Sequence, residues 1–200
     1  LFRSNLSSGI ILAGIAFVML FVACKIKWPF YGIALSGIGL LAGAGPIGKL
    51  LVQIRLLQPY QYRRIEAWLN PELDPEGKSF QVLQGLYAIG SGGIFGKGLG
   101  QSMQKMGFIP ESHNDMIFSI ICEELGLFGA VCLILVFAAL IWRMLLIAMN
   151  ADELLGSLLV IGVITHIAMQ VFVNIAVVTN TIPPTGIPLP FISYGGSSIF

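Results

Sequence analysis

The chain has 200 residues, of which 56% are hydrophobic and only 10% are charged, and its formal net charge is +1. Disordered chains combine low hydrophobicity with high charge, and soluble domains carry about 25% charged residues, so the composition argues against both classes. A net charge this close to zero supplies no basic field for phosphate groups, which disfavours a nucleic-acid partner. The composition therefore predicts an integral membrane protein.

Segments that lack charge predict about four membrane-spanning helices, because about 20 apolar residues are needed to cross the hydrocarbon core. In chain order, the predicted spans are residues 4–24, 28–48, 116–142 and 154–178. A short helix is predicted at residues 80–89. The expected fold class is an all-α integral membrane protein, built as a polytopic helical bundle.

Two segments between and after these spans have a different composition. Residues 49–115 hold most of the charged side chains and predict a long loop. Residues 181–200, the Pro/Gly segment, predict a broken, re-entrant stretch, because irregular backbone at membrane depth must be packed in protein or line a wet cavity. We expect a single membrane domain, cut at both ends, with two spans in 1–48, the loop in 49–115, two spans in 116–180 and the Pro/Gly segment in 181–200.

A glycine-rich run, GSGGIFGKGLG at residues 90–100, is the first candidate for chemistry and is called the glycine loop below. A Walker A loop requires Ser or Thr after its Lys, whereas Gly98 follows Lys97, and a dinucleotide-binding motif requires Gly where Phe95 stands. Two interpretations stay open. The run is either a tightly turned re-entrant loop, or a loop whose N–H groups and Lys97 contact an anion.

The polar run ESHND at residues 111–115 directly precedes the third span. Alternate residues of an extended chain share one face, which brings Glu111, His113 and Asp115 together, yet one His with two carboxylates matches no common metal set well. Asn114 or Asp115 is alternatively the cap of the third span, where negative charge is favoured. A further interpretation makes Asp115 a catalytic carboxylate at the membrane surface.

Polar residues inside the predicted spans need partners. Glu123 and Glu124 predict either a structural pair with basic or backbone donors, or a proton or ion relay. His166 predicts a hydrogen bond between helices. Asn174, with the Pro/Gly segment that follows, marks either a binding site or an architectural kink. The cysteines lie in apolar stretches without CxxC spacing and are expected to be core or lipid-facing residues: Cys24, Cys122 and Cys132.

Three blocks of sequence together resemble the SEDS family, the shape, elongation, division and sporulation proteins (RodA, FtsW, SpoVE). The first block is RRIEAWLNPELDP at residues 63–75. The second runs from AIGSGG at 88–93 through GKGLG at 96–100 and PESHND at 110–115 to EELG at 123–126. The third is PTGIPLPFISYGGSS at 184–198. The blocks follow one another in order over nearly the whole chain, and the FtsW branch looks most similar.

A few positions depart from the family pattern. Asn114 stands where Thr or Ser is common, Cys122 stands where Gly is usual, and Asn180 and Thr181 replace a Gly-Leu pair. None of these departures removes a charged group.

The resemblance implies a multi-pass protein of the bacterial plasma membrane whose 49–115 loop faces outward, an orientation that the positive-inside rule leaves open because basic residues flank both ends of the spans. It implies a peptidoglycan glycosyltransferase that polymerises lipid II by inverting transfer to a GlcNAc 4-hydroxyl, in cell division or cell-shape maintenance. The implied partners are a class B penicillin-binding protein (a transpeptidase), divisome or elongasome proteins, undecaprenyl pyrophosphate and membrane lipids.

By the same resemblance, Asp115 matches the family's catalytic Asp, which takes the proton from the acceptor hydroxyl. The leaving pyrophosphate gathers negative charge, and its stabilisation is expected from Lys97, Lys105 and Arg63 or Arg64, or from a divalent cation, Mg²⁺ or Mn²⁺. No organic cofactor is expected.

Further substrate-site residues are expected both before and after the third span in the sequence. Glu111 and His113 would support the catalytic carboxylate or the ion, with Glu111 as a candidate ligand beside that carboxylate. Ser193, Gly195 and Gly196 would contact the substrate from the Pro/Gly segment. Two other functions stay open: a lipid II flippase or ion-coupled transporter, and a scaffold for division proteins.

Overall fold

The computed structural model describes residues 6–25, 27–33, 35, 68, 80–103 and 114–194. Within these ranges the regular secondary structure is helical throughout and no strand is present, which confirms the all-α fold class for the described part. The four named helices are α1 (Leu6–Ala23), α2 (Phe80–Gly92), α3 (Ile117–Met149) and α4 (Leu154–Val178). Most of the second predicted span and most of the 49–115 loop lie outside the described residues, so the span count and the loop stay predictions.

Helices α3 and α4 are long and apolar enough to cross a membrane, with 33 and 25 residues. At 1.5 Å per residue, even the shorter one exceeds the ~30 Å of a hydrocarbon core. Helix α4 begins and ends at the residues that the charge-free segment predicted for the fourth span, 154 and 178. Helix α1 has 18 residues and ends just before Lys25.

Helices α1 and α4 run antiparallel. Ile11 packs in one cluster with Val173 and Val177, whereas Gly162, near the start of α4, lies against Met19. The end of α1 therefore lies beside the start of α4. The connection at residues 150–153 also belongs to that end of the bundle, and the start of α3 belongs to the opposite end.

Helix α3 is broken at Gly126, where φ is 68° and ψ is −165°. The prediction of one continuous third span is therefore wrong. A break frees backbone groups that have no water to bond inside a membrane, so other groups must replace the lost helical bonds. An added Cβ at Gly126 would lie 2.4 Å from the nitrogen of Gly96, so a side chain at this position is excluded by both space and backbone conformation.

The glycine loop replaces the hydrogen bonds that the break removes. Two of its N–H groups donate to α3 carbonyls, from Lys97 to Glu123 at 2.9 Å and from Gly98 to Glu124 at 3.0 Å. In return, N–H groups just after the break donate to the loop: Leu127 to Gly93 at 2.9 Å and Phe128 to Ile94 at 3.0 Å. The loop and the broken helix thus satisfy each other's backbone.

Small residues let α2 approach α3 closely enough for this exchange. Gly85, Ala88 and Gly92 share one face of α2 at helical spacing and are buried. A Cβ at Gly92 would lie 2.0 Å from the carbonyl oxygen of Cys122, so the two backbones touch there.

The Pro/Gly segment packs into the bundle although it forms no helix over its described residues, 181–194. Leu189 is fully buried in a cluster with Phe137 of α3 and Ile167 of α4. Ile187 is buried against the α1–α4 pair. Apolar side chains at alternate positions therefore fix an irregular backbone against α1, α3 and α4.

Candidate functional site

Asp115 lies at the N-terminal end of α3, one residue before the N-cap, and is half-buried. The N-cap position belongs to Met116, which makes no side-chain capping hydrogen bond. The prediction that Asn114 or Asp115 caps the third span is therefore wrong. Burial explains the difference, because Met116 is only 3% exposed and its side chain packs over Gly85 of α2. An apolar contact fixes where this helix begins.

Two elements approach the Asp115 carboxylate from outside α3. The Nε2 atom of Gln81, in the first turn of α2, donates a hydrogen bond to Oδ1 at 3.2 Å. Gly186 of the Pro/Gly segment faces Oδ2, since a Cβ built on it would lie 3.9 Å from that oxygen. The carboxylate therefore lies where α2, α3 and the Pro/Gly segment meet.

The backbone around Asp115 is bonded to the same segment by two buried side chains. Asn174 of α4 donates to the carbonyl oxygens of both Asp115 and Ile187, each at 2.8 Å. The Ser193 hydroxyl donates to the Asn114 carbonyl oxygen at 2.6 Å and accepts the Leu189 N–H at 2.7 Å. Asn174 and the Pro/Gly segment thus belong to the site of Asp115.

Lys97 is engaged with a buried acid. Its Nζ lies 2.7 Å from Oε1 of Glu123, whose side chain is fully buried, whereas that of Lys97 is 33% exposed. The hydroxyls of Ser91 and Ser102 also donate to the Glu123 carboxylate. Since the loop's N–H groups bond α3 carbonyls, the geometry favours the tightly turned re-entrant loop over the anion cradle. Oε1 of Glu124 is buried and has no partner in the part of the chain that the structure describes.

Several predicted site residues fall outside the described ranges: Arg63, Arg64, Lys105, Glu111, His113, Gly195 and Gly196. Among the described residues, no group of three His, Cys, Asp or Glu side chains could hold a metal ion. Asp115 therefore has no metal-ligand set within that part, and the divalent cation stays a prediction.

The remaining residues singled out from the sequence are His166 and the three cysteines. His166 is partly buried on α4 and makes no hydrogen bond within residues 80–103 and 114–194 or the other described stretches, so the predicted bond between helices is not seen there. All three cysteines are free, with Cys122 buried and Cys24 and Cys132 exposed.

The residue that the sequence did not reveal is Gln81. Its side chain reaches Asp115 because Gly85, Ala88 and Gly92 set the contact between α2 and α3. A usable signal was present, since Gln81 stands one turn before Gly85 on the same face of the helix.

Fold and site together define a helical membrane protein with a carboxylate at one end of its bundle, held against a broken, proline-rich segment. A family model described as "Cell cycle protein" (FTSW_RODA_SPOVE) matches residues 1–200. The chain belongs to this FtsW/RodA/SpoVE family, which confirms the resemblance seen in the three sequence blocks.

Curated relatives match nearly the whole chain. It is 45% identical over 197 residues to "Stage V sporulation protein E" of Bacillus subtilis (strain 168), covering 98% of this chain and 51% of the relative. It is 39% identical over 198 residues to "Probable peptidoglycan glycosyltransferase FtsW" of Trichlorobacter lovleyi, covering 98% and 49%. The protein of that name in Geobacter metallireducens is 41% identical over 197 residues, covering 98% and 50%. The chain thus spans about half the length of these relatives.

A solved structure shares the fold. The match covers 98% of this chain and 52% of the other, with a TM-score of 0.69 and 29% sequence identity. That structure is described as "Structural coordination of polymerization and crosslinking by a peptidoglycan synthase complex".

Proposed function

We propose that this chain forms part of a peptidoglycan glycosyltransferase that polymerises lipid II, with Asp115 as the general base. One observation carries the proposal: the Asp115 carboxylate lies at an end of the membrane bundle, between Gln81 and Gly186. Support comes from relatives 39% and 41% identical to this chain that are named peptidoglycan glycosyltransferases. A lipid-linked sugar places its head in water and its tail in lipid, which suits this location.

The reaction needs a base because a sugar hydroxyl is a poor nucleophile at neutral pH. In the proposed step, the GlcNAc 4-hydroxyl oxygen bonds to the anomeric carbon of the donor while the bond from that carbon to the pyrophosphate oxygen breaks. Asp115 takes the hydroxyl proton as the new bond forms, and undecaprenyl pyrophosphate leaves with the electron pair. A direct displacement of this kind inverts an α-linked donor to a β-linked product.

The charge on the leaving pyrophosphate requires cationic or hydrogen-bonding groups nearby. We assign this role to Lys105 and to Arg63 or Arg64. Lys97 is the weaker candidate, because its ammonium already pairs with Glu123. A Mg²⁺ or Mn²⁺ ion held by Glu111 and Asp115 would neutralise the same charge. Positioning of the acceptor and donor falls to the Pro/Gly segment.

The cellular setting follows from the same proposal. The chain would lie in the bacterial plasma membrane as a multi-pass protein, with Asp115 facing outward. A class B penicillin-binding protein would crosslink the glycan strands that it makes. Support comes from the solved structure that shares this fold, which is described as a peptidoglycan synthase complex. The division and cell-shape roles both fit this assignment.

The test is polymerisation of lipid II in detergent by the purified glycosyltransferase that contains this chain, together with its transpeptidase partner. We expect glycan polymer from the wild type and none from a stably folded Asp115→Ala variant. Unchanged polymerisation by that variant would refute the assignment of the base. Transfer of lipid II across vesicles without polymer would instead identify a flippase, and full complementation of cells by Asp115→Ala would identify a scaffold.

A further inference from the structure

The carbonyl groups of Asn114 and Asp115 lie just outside α3, which begins at Ile117. Backbone carbonyl groups in a packed environment require hydrogen-bond donors. Both donors come from side chains distant in sequence, namely Asn174 and Ser193.

Asn174 makes the bridge between three elements. A side-chain amide has two N–H donors, and Asn174 gives one bond to Asp115 and one to Ile187, each at 2.8 Å. The residue is 1% exposed, so these bonds are shielded from water. One planar group on α4 thus fixes the distance between the start of α3 and the Pro/Gly segment.

Ser193 makes a second tie in parallel. Its hydroxyl donates a hydrogen bond to the carbonyl oxygen of Asn114 and accepts one from the N–H of Leu189, a fully buried residue. Consecutive residues are therefore each tied to the same segment, Asn114 directly by Ser193 and Asp115 through the Asn174 bridge. Two ties on neighbouring carbonyls restrain rotation as well as translation of the backbone that carries the carboxylate.

We propose that Asn174 and Ser193 are positioning residues that hold Asp115 in reacting geometry over the Pro/Gly segment, acting through the backbone; for Ser193 this role takes the place of the substrate contact expected from the sequence. This inference rests on the proposed function of Asp115 as the base. Positioning of this kind governs the rate of the chemical step, since a displacement of about 1 Å can cost about 100-fold in rate.

The experiment compares matched pairs of variants in the purified full chain with its transpeptidase partner, using lipid II as substrate. Ser193→Ala removes a tie, whereas Ser119→Ala removes another buried hydroxyl, whose hydrogen bond goes only to Met116, the N-cap of its own helix. Asn174→Leu removes the bridge at similar volume. Its control is Thr165→Val, which removes a bond within α4 to Ile161.

We expect kcat to fall about tenfold to about 100-fold in Ser193→Ala and Asn174→Leu, with KM for lipid II held within about twofold. Ser193→Thr retains the hydroxyl and should recover most of kcat. The two controls should keep the wild-type kcat, and melting temperatures in detergent should change equally within each pair. If Asn174→Leu does not fold, the three serine variants decide alone.

The inference is overturned if Ser193→Ala keeps the wild-type kcat, if Ser119→Ala loses as much, or if Ser193→Thr fails to recover while folded. A failure of the proposed function is distinct, because it would show as polymerisation that survives Asp115→Asn. If Asp115→Asn loses polymerisation activity while Ser193→Ala and Asn174→Leu keep full activity, only the positioning role is rejected.

Discussion

At the scale of single residues, Asp115 is held by side chains from two other helices, Gln81 of α2 at its carboxylate and Asn174 of α4 at its carbonyl oxygen. Its candidacy followed from a polar run placed at the start of an apolar span and from the family resemblance. Its partners did not follow, because Gln81 and Asn174 lie far from it along the chain and meet it only through helix packing. Residue type and position indicate a base, whereas its orientation is a property of the assembled fold.

Lys97 and Glu123 support a prediction at the same scale. Lys97→Met leaves a fully buried carboxylate without its cation; breaking a fully buried pair costs about 3–5 kcal/mol, and the cost is smaller here because the Lys97 side chain is 33% exposed. The free energy of unfolding should therefore fall, and Glu123→Gln added to Lys97→Met should restore part of it. Melting temperature in detergent is the measurement, with exposed Lys25→Met as control. Equal melting temperatures for Lys97→Met and Lys25→Met would contradict the structural role of the pair.

At the scale of elements, the break in α3 was not predicted. Apolar residues precede Glu123 and follow Gly126, so hydropathy indicates one continuous helix. The break is stable because the glycine loop, about 30 residues earlier, supplies the missing hydrogen bonds. The charge-free α4 was predictable within its bounds because it depends on no such partner.

Gly126→Ala tests this exchange between the loop and the helix. The added Cβ would collide with backbone atoms of Gly96 and Ile94, at 2.4 and 2.5 Å, and φ of 68° disfavours any side chain. We expect a large drop in melting temperature and loss of folded protein on purification. Gly156→Ala is the matched control, because its Cβ meets only Ala151 at 3.9 Å. It should leave stability unchanged or raise it slightly. Equal stability of the two variants would contradict the packed break.

At the scale of the whole molecule, α4 runs antiparallel to α1 and α3, and this packing separates two ends. Asp115 and the Pro/Gly segment lie at one end, and the 150–153 connection lies at the other. Charge counting alone left the orientation open, because basic residues flank both ends of the spans. The packing establishes which segments share an end, whereas the outward orientation of Asp115 is part of the proposed function.

Cysteine labelling tests this separation. In a background without native cysteines, Thr181→Cys and Asp152→Cys place a thiol at exposed positions on opposite ends of α4. A membrane-impermeant maleimide should label position 181 in intact cells and position 152 only after the membrane is opened. Labelling of both positions from the same face would contradict the proposed topology.

The central claim is that one carboxylate, at position 115, takes the proton of the acceptor hydroxyl. The most direct measurement is the initial rate of lipid II polymerisation by Asp115→Asn, compared with Asp152→Asn, which removes an exposed carboxylate at the opposite end of the bundle. We predict a loss of about 100-fold to about 10,000-fold for Asp115→Asn, the range typical of a missing general base, and an unchanged rate for Asp152→Asn. A folded Asp115→Asn protein that polymerises at the wild-type rate would contradict the account.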